Sequence, residues 1–220
     1  MCGLTGFWQL QPASGFEGLQ AAARRMAQGL HHRGPDDGGT WVDGSVGLAL
    51  GHRRLAVVEL SAAGHQPMLS ASGRWVVAFN GEIYNHMALR AELQAAGAVT
   101  AWRGHSDTET LLAAIEHWGV EATLKRCVGM FAIALWDKLS RTLMLARDRL
   151  GEKPLYYGWA GSDSGRAFVF GSELKALKAY PGFDAPVCRQ ALAQYLRFMS
   201  LPRAAFLKAS SSLSQVACSR

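Results

Sequence analysis

The sequence predicts an α+β domain of mainly antiparallel sheets with helices packed outside. Short runs rich in Val, Phe, Trp and Tyr recur along the chain, bounded by Gly, Asp or Ser, as strands are. Several of these runs follow one another with no helix between them, which suits antiparallel pairing rather than a βαβ repeat. A chain of 220 residues, 49% hydrophobic and 18% charged, suits one domain with a sizeable core, or two small ones.

In chain order, the strand-like runs are Leu4–Leu10, Val46–Ala49, Trp75–Phe79, Phe131–Trp136, Thr142–Ala146, Pro154–Trp159 and Phe168–Phe170. Helical spacing of apolar residues appears at Leu19–Gly29, His86–Ala96, Thr108–Trp118, Glu121–Lys125, Ser172–Ala179 and Arg189–Phe198. Between the first helix and the second strand lies His31-His32-Arg33-Gly34-Pro35-Asp36-Asp37-Gly38-Gly39, a loop by composition. After Pro202 the chain becomes low in complexity and rich in Ser, with no clear strand and weak helical pattern; from about residue 203 it reads as poorly ordered.

Several function classes recede on composition. No apolar run approaches the roughly 20 residues that span a bilayer. The N-terminus lacks a basic segment followed by an apolar stretch and a small-residue cleavage site, which makes a cytoplasmic protein the expectation. The net charge is +6, but its basic residues are scattered and not interleaved with aromatics, which argues against nucleic acid. Neither a Gly-x-Gly-x-x-Gly after a strand nor a Walker A sequence is present. The cysteines, Cys2, Cys127, Cys188 and Cys218, have no Cys-x-x-Cys spacing, so no zinc site is expected, and a cytoplasmic chain keeps them reduced. Cys127 reads as a small buried hydrophobe.

Cys2 is different because of its position. Initiator methionine is usually trimmed before a small residue, which would leave a thiol and a free α-amine on one residue. An α-amine has a pKa of about 7.7–8.0 and can serve as general base to the thiol. A thiolate so formed attacks a carboxamide carbon; the plain alternative is an incidental cysteine in a first strand. Such an attack develops an oxyanion that needs two donors. Asn80-Gly81, at the end of the Trp75–Phe79 run, supplies a side-chain amide and a backbone N–H, although Asn-Gly also signals a hairpin turn. A free amino acid substrate needs a cation for its carboxylate, which Arg54 offers as a planar fork, and an anion for its ammonium, which Asp107 offers. Each has a structural alternative: Arg54 as a surface arginine at a strand end, and Asp107 as an acid in the first turn of a helix capped by a Ser106/Glu109 box. The His31–Gly39 loop reads as a flexible lid rather than a metal site, or as plain surface.

Taken together and in order, the segments MCGLTGFW, HHRGPDD, GHRRLAVVEL, GHQPM, FNGEIYNH, HSDTETLL, GMFAIALWD, ARDRLGEKPLYY and FGSELKAL resemble the class II glutamine amidotransferases, and most closely the glutaminase domain of glutamine-hydrolysing asparagine synthetases. The likeness runs from residue 1 to about 178 and continues more loosely through RQALAQYLRFMSLP. It implies the four-layer αββα sandwich of N-terminal nucleophile hydrolases. It also implies roles: Cys2 as nucleophile with its amine as base, Asn80 and Gly81 as the oxyanion hole, Arg54 on the glutamine carboxylate, and Asp107 with Glu82 at the α-amine end. Leu55 and Val58 would lend backbone contacts, and Arg33 and Asp36 would sit in a loop covering the substrate. Glutamine is the implied ligand, with no cofactor or metal in this domain. ATP and magnesium would belong to a synthetase domain or subunit.

That second part is not in the sequence, which has no Ser-Gly-Gly-x-Asp-Ser loop. The expected organisation is a glutaminase domain over 2–180, the start of a linker or helix over 181–202, and an atypical tail over 203–220. Relatives of this type continue with a stretch similar to RSIFEGIRKLPPG, and a one-base shift within plausible codons for residues 205–210 yields SIFEGI. The tail is therefore read as a frameshifted or disordered continuation. Apolar surface left by a missing partner would favour self-association, with a homodimer as its simplest form. The alternatives are a hexosamine-phosphate type amidotransferase, a sugar-acid acceptor in place of aspartate, and a non-catalytic module that holds glutamine or a partner.

Overall fold

Along each strand, apolar side chains alternate between two different cores, and this alternation sets the layers. In the computed structural model, the residues described are 1–11, 15–99, 101–161, 165–184, 186–187, 189–198, 210–212 and 217–218. The strands are β1 (Gly3–Gln9), β2 (Asp37–Asp43), β3 (Leu48–Arg54), β4 (Met68–Leu69), β5 (Trp75–Ile83), β6 (Gly129–Asp137), β7 (Thr142–Arg147), β8 (Tyr156–Ala160), β9 (Ala167–Gly171), β10 (Ser210–Ser212) and β11 (Ala217–Cys218). The helices are α1 (Phe16–Gln28), α2 (His86–Ala95), α3 (Asp107–Trp118), α4 (Val120–Arg126), α5 (Leu174–Lys178) and α6 (Arg189–Phe198).

Two sheets form, in the orders β10-β8-β9-β1-β3-β2 and β11-β7-β6-β5-β4, and every strand pair is antiparallel. Leu4, Leu48, Leu50 and Phe170 of the first sheet meet Val76, Ala78, Ala134 and Trp136 of the second in a core between the sheets. The opposite face of the first sheet, with Phe7, Ala49 and Val169, packs on Leu19, Ala23 and Met26 of α1 and Leu177 of α5. The opposite face of the second, with Val77, Phe79, Ile133 and Leu135, packs on Leu89 of α2 and Leu111, Leu112 and Ile115 of α3. The layers are therefore helix, sheet, sheet, helix, the αββα sandwich that the resemblance implies. Among the described residues, no helix is long and apolar enough to cross a membrane.

The structure departs from the sequence reading mainly at strand ends. Asp37–Asp43, half of it assigned to a loop, is strand β2, because β3 supplies a partner along its whole length. β3 runs to Arg54 rather than ending at Ala49, and β5 runs through Asn80-Gly81 to Ile83. Both strands pass from the core into a polar site, so their hydrophobic signal stops before their hydrogen bonding does. Asn80-Gly81 is thus not a hairpin turn: it pairs with Ala132 and Phe131 inside the β5–β6 ladder. Of the tail expected to carry no regular element, residues 210–212 and 217–218 are short strands on β8 and β7, and the rest lies outside the described residues.

Candidate active site

Strand parity carries the inter-sheet core into a polar end. On β3, the face that bears Leu48 and Leu50 continues through His52 to Arg54. On β5, Val76 and Ala78 are followed on the same face by Asn80 and Glu82. On β1, one step of that alternation before Leu4 is Cys2. Gly3 pairs with Arg53, so continuing the register sets Cys2 opposite Arg54. The result is a cavity of about 200 Å³ whose lining includes Cys2, Arg54, Leu55, Val58, Asn80, Gly81, Glu82 and Asp107. Arg33 and Asp36 do not line it. Arg33 Nε donates to the Cys2 carbonyl at 2.9 Å while its Nη1 pairs with Glu173 at 3.0 Å, and Asp36 accepts from the Ala56 N–H at 2.9 Å.

The nucleophile candidate is held at both ends. Ser172, just beyond β9, accepts from the Leu4 N–H with its hydroxyl at 3.0 Å and donates its own N–H to the Leu4 carbonyl. The Leu55 N–H lies 3.4 Å from Cys2 Sγ, and Sγ lies 3.6 Å from the Leu55 carbonyl. Met1 also lines the cavity, with Lys153 Nζ 3.4 Å from its Sδ.

Opposite Cys2, the edge of the second sheet is open. β4 begins only at Met68, after Pro67, which has no N–H to give to a ladder. Side chains take over where strand pairing stops. Gln66 Oε1 accepts from the Phe79 N–H at 2.7 Å, His52 Nε2 meets the Phe79 carbonyl at 2.9 Å, and Asp107 accepts from the Ile83 N–H at 3.0 Å. Strand parity turns the Gly81 N–H toward the same edge, between those two capped neighbours. Position 81 must be glycine: a Cβ there would lie 2.3 Å from the Met130 carbonyl oxygen and 2.7 Å from Phe131 Cα. Asn80 is 1% exposed, and its Nδ2 has no hydrogen-bond partner among the described residues. Two donors therefore face one small cavity with Cys2.

The charged groups are also fixed. Arg54 donates to the carbonyls of Ser61, at 3.0 Å, and Glu59, which orients its guanidinium along the cavity wall. A Cβ on Gly64 would fall 2.2 Å from Arg54 Nη2, so any larger residue there would displace the guanidinium. The Glu59 carboxylate, held down to about 2 by hydrogen bonds from Ser61 and the His105 N–H, ties the loop after β3 to the segment before α3. That tie brings Arg54 and Asp107 to one cavity. Burial pushes the Asp107 carboxyl above its ordinary value, against the Ile83 N–H that favours the anion. Ser106 caps α3 by accepting from the Glu109 N–H, but Glu109 turns away to the Arg103 and Gly104 N–H groups, so only half of the expected capping box forms. Cys127 is buried in the core under α3, its thiol pushed up to about 11 by burial, with Asp107 adding to the shift. Among the described residues, no group of three or more His, Cys, Asp or Glu is suited to a metal ion.

Sequence reasoning passed over Gln66, His52 and Lys153. Gln66 stands beside the proline that ends β4, which was its available signal. His52 lies one alternation step before Arg54. Lys153 has no local signal, because the turn after β7 brings it to the cavity.

Comparison with known proteins gives the family and the fold. A family model described as a glutamine amidotransferase domain matches residues 1–216. A putative glutamine-hydrolysing asparagine synthetase of Mycobacterium tuberculosis is 42% identical over 92% of this chain and 32% of its own length. Asparagine synthetase 3 of Bacillus subtilis is 39% identical over 88% of the chain and 30% of its own length, and asparagine synthetase B of Escherichia coli 37% over 86% and 31%. The chain thus spans about a third of the length of these relatives. Glutamine phosphoribosylpyrophosphate amidotransferase from B. subtilis shares the fold, with a TM-score of 0.66 and 22% identity over 84% of this chain and 45% of that one. The chain belongs to the glutamine amidotransferase domain family.

Proposed function

We propose that this domain hydrolyses glutamine to glutamate and ammonia through a thioester on Cys2, after removal of Met1. The observation that carries the reading is the meeting, in one cavity, of the Cys2 thiol, the Asn80 amide, whose Nδ2 has no partner among the described residues, Arg54 and Asp107. Arg54 holds the α-carboxylate of glutamine as a bidentate pair, while Asp107 and Glu82 receive its ammonium. Backbone groups of Leu55 and Val58 line the substrate between them, and Arg33 and Asp36 brace the rim.

The Cys2 α-amine takes the thiol proton, and the sulfur adds to the carboxamide carbon. Asn80 Nδ2 and the Gly81 N–H stabilise the oxyanion. As the C–N bond breaks, the ammonium of Cys2 returns its proton to the leaving nitrogen, releasing ammonia and a γ-glutamyl thioester. Water, deprotonated by the same amine, attacks the thioester; glutamate leaves and the thiol is restored. Lone-pair access to the amine requires that Met1 be gone, since a peptide nitrogen is no base.

The relatives are named asparagine synthetases, and we assign the ammonia to a synthetase part that activates aspartate. ATP and magnesium belong to that part in this reading. The test is glutamate release by the wild-type chain beside Cys2→Ala, with the intact mass of both. Turnover in the first, none in the second, and a wild-type mass lacking methionine are expected. Equal release by both, or a retained Met1 with full activity, would overturn the reading.

A further inference from the structure

We infer that His52 and Gln66 are positioning residues that hold the two peptide groups flanking Phe79, Gln66 through the N–H and His52 through the carbonyl, and so aim the Asn80 amide at the reacting carbonyl. The inference rests on the oxyanion role proposed for Asn80. Phe79 pairs with β6 on one edge but lies past the end of β4 on the other, and a free edge there would leave both its polar groups unpaired in a buried place. Gln66 Oε1 accepts its N–H at 2.7 Å, and His52 Nε2 donates to its carbonyl at 2.9 Å. That carbonyl belongs to the peptide plane that ends at the Asn80 nitrogen. Fixing the plane fixes the Asn80 backbone, and with it the direction of a side-chain donor whose Nδ2 no group among the described residues holds.

Both clamp residues are themselves anchored. Gln66 is 6% exposed and its Nε2 reaches Thr108 Oγ1 at 3.4 Å, at the start of the helix that bears Asp107. His52 is fully buried on β3, opposite Leu4 of the Cys2 strand, and therefore spans from one sheet to the Asn80 strand in the other. Its bond to a carbonyl requires a proton on Nε2, and Nδ1 has no partner among the described residues, so a single hydrogen bond defines the ring. His52 does not line the cavity; Gln66 does, but its side-chain amide is engaged by the Phe79 N–H and Thr108 Oγ1. Their effect belongs to the transition state, because the oxyanion forms only there.

The test compares His52→Gln with His52→Asn in the full chain. A glutamine amide reaches the place of imidazole Nε2, whereas an asparagine amide stops one methylene short. Active sites are counted by labelling with a diazoketone analogue of glutamine, so that misfolded chain does not enter the rate. Per labelled site, His52→Asn is expected to lose about 10²-fold in kcat with KM within about threefold, in line with removal of one oxyanion donor. His52→Gln should recover to within about fivefold of wild type. Should neither variant fold, Gln66→Met, which removes the acceptor of the Phe79 N–H, carries the same expectation. Equal kcat in the two His52 variants, or a loss confined to KM, overturns the clamp while leaving the Cys2 reading intact. A wild-type chain that neither labels nor turns over overturns both.

Discussion

Asn80 keeps a buried donor without a partner among the described residues, which ordinarily costs a fold about 1–3 kcal/mol. Nothing in the packing explains the retention of such a group. In the proposed mechanism a developing oxyanion does, because the donor is then already desolvated and aimed. Asn80→Ala is therefore expected to lower kcat about 10²–10³-fold, leave KM for glutamine nearly unchanged, and cost little or no stability. Glutamate release and urea unfolding measure the two sides; a large loss of stability with kcat intact would mark the residue as structural. Gly81 acts at the same scale but for steric reasons. Its hydrogen side lies against the Met130 carbonyl, so Gly81→Ala should push β5 off β6 and reduce both stability and activity. At this scale the sequence was informative: Cys2, Arg54, Leu55, Val58, Asn80, Gly81, Glu82 and Asp107 line one cavity, while Arg33 and Asp36 lie outside its lining. It was silent on Gln66 and His52, whose roles depend on a strand that stops early in one place and a sheet that crosses in another.

Among the elements, the turn between β7 and β8 is built on one side chain. Asp148, 3% exposed, accepts from the N–H groups of Phe131, Leu150, Glu152 and Lys153. Burial pushes its carboxyl up, but those backbone bonds win and hold it below its ordinary value. Asp148→Ala leaves several N–H groups unpaired and is expected to cost about 3 kcal/mol or more, read as a lowered urea midpoint. The same change should loosen Lys153 from the cavity, since its N–H is one of the four. Strand β1 makes a different demand. A Cβ at Gly6 would lie 2.4 Å from Phe170 Cζ and 2.6 Å from the Ala49 carbonyl oxygen. Gly6→Ala is expected to cost about 1–3 kcal/mol with no change in KM, as overpacking of the inter-sheet layer would. Elements with apolar faces were legible from spacing alone. β2, β4 and the far ends of β3 and β5 were not, because their residues answer to a neighbouring strand or to the site.

For the molecule as a whole, stability should depend on pH through His52. Burial, set against the weaker pull of the Phe79 bond and Asp37, lowers its pKa from 6.5 to about 4. The folded form thus binds fewer protons than the unfolded form between those values. Stability is full above about pH 6.5 and is lost as pH falls toward 4, by roughly 2 kcal/mol between pH 7 and pH 5. Chemical unfolding at the two pH values would show it, and His52→Gln should flatten the difference. A slope of the opposite sign, or one unchanged in the variant, would contradict the neutral histidine. Its place between the sheets makes this a property of the sandwich rather than of one strand.

By itself the sequence determined which residue types are available and in what order: a second-position cysteine, an Asn-Gly on a strand, an arginine and an aspartate, and apolar runs whose periods separate strand from helix. These are local facts, and local spacing records them. The tertiary structure decided what no spacing records: that two sheets stack so that Cys2, Arg54 and Asn80 continue one core face, and that Pro67 ends a strand where an edge must stay open. Packing and pairing join residues dozens of positions apart, and only the folded chain brings them to one cavity.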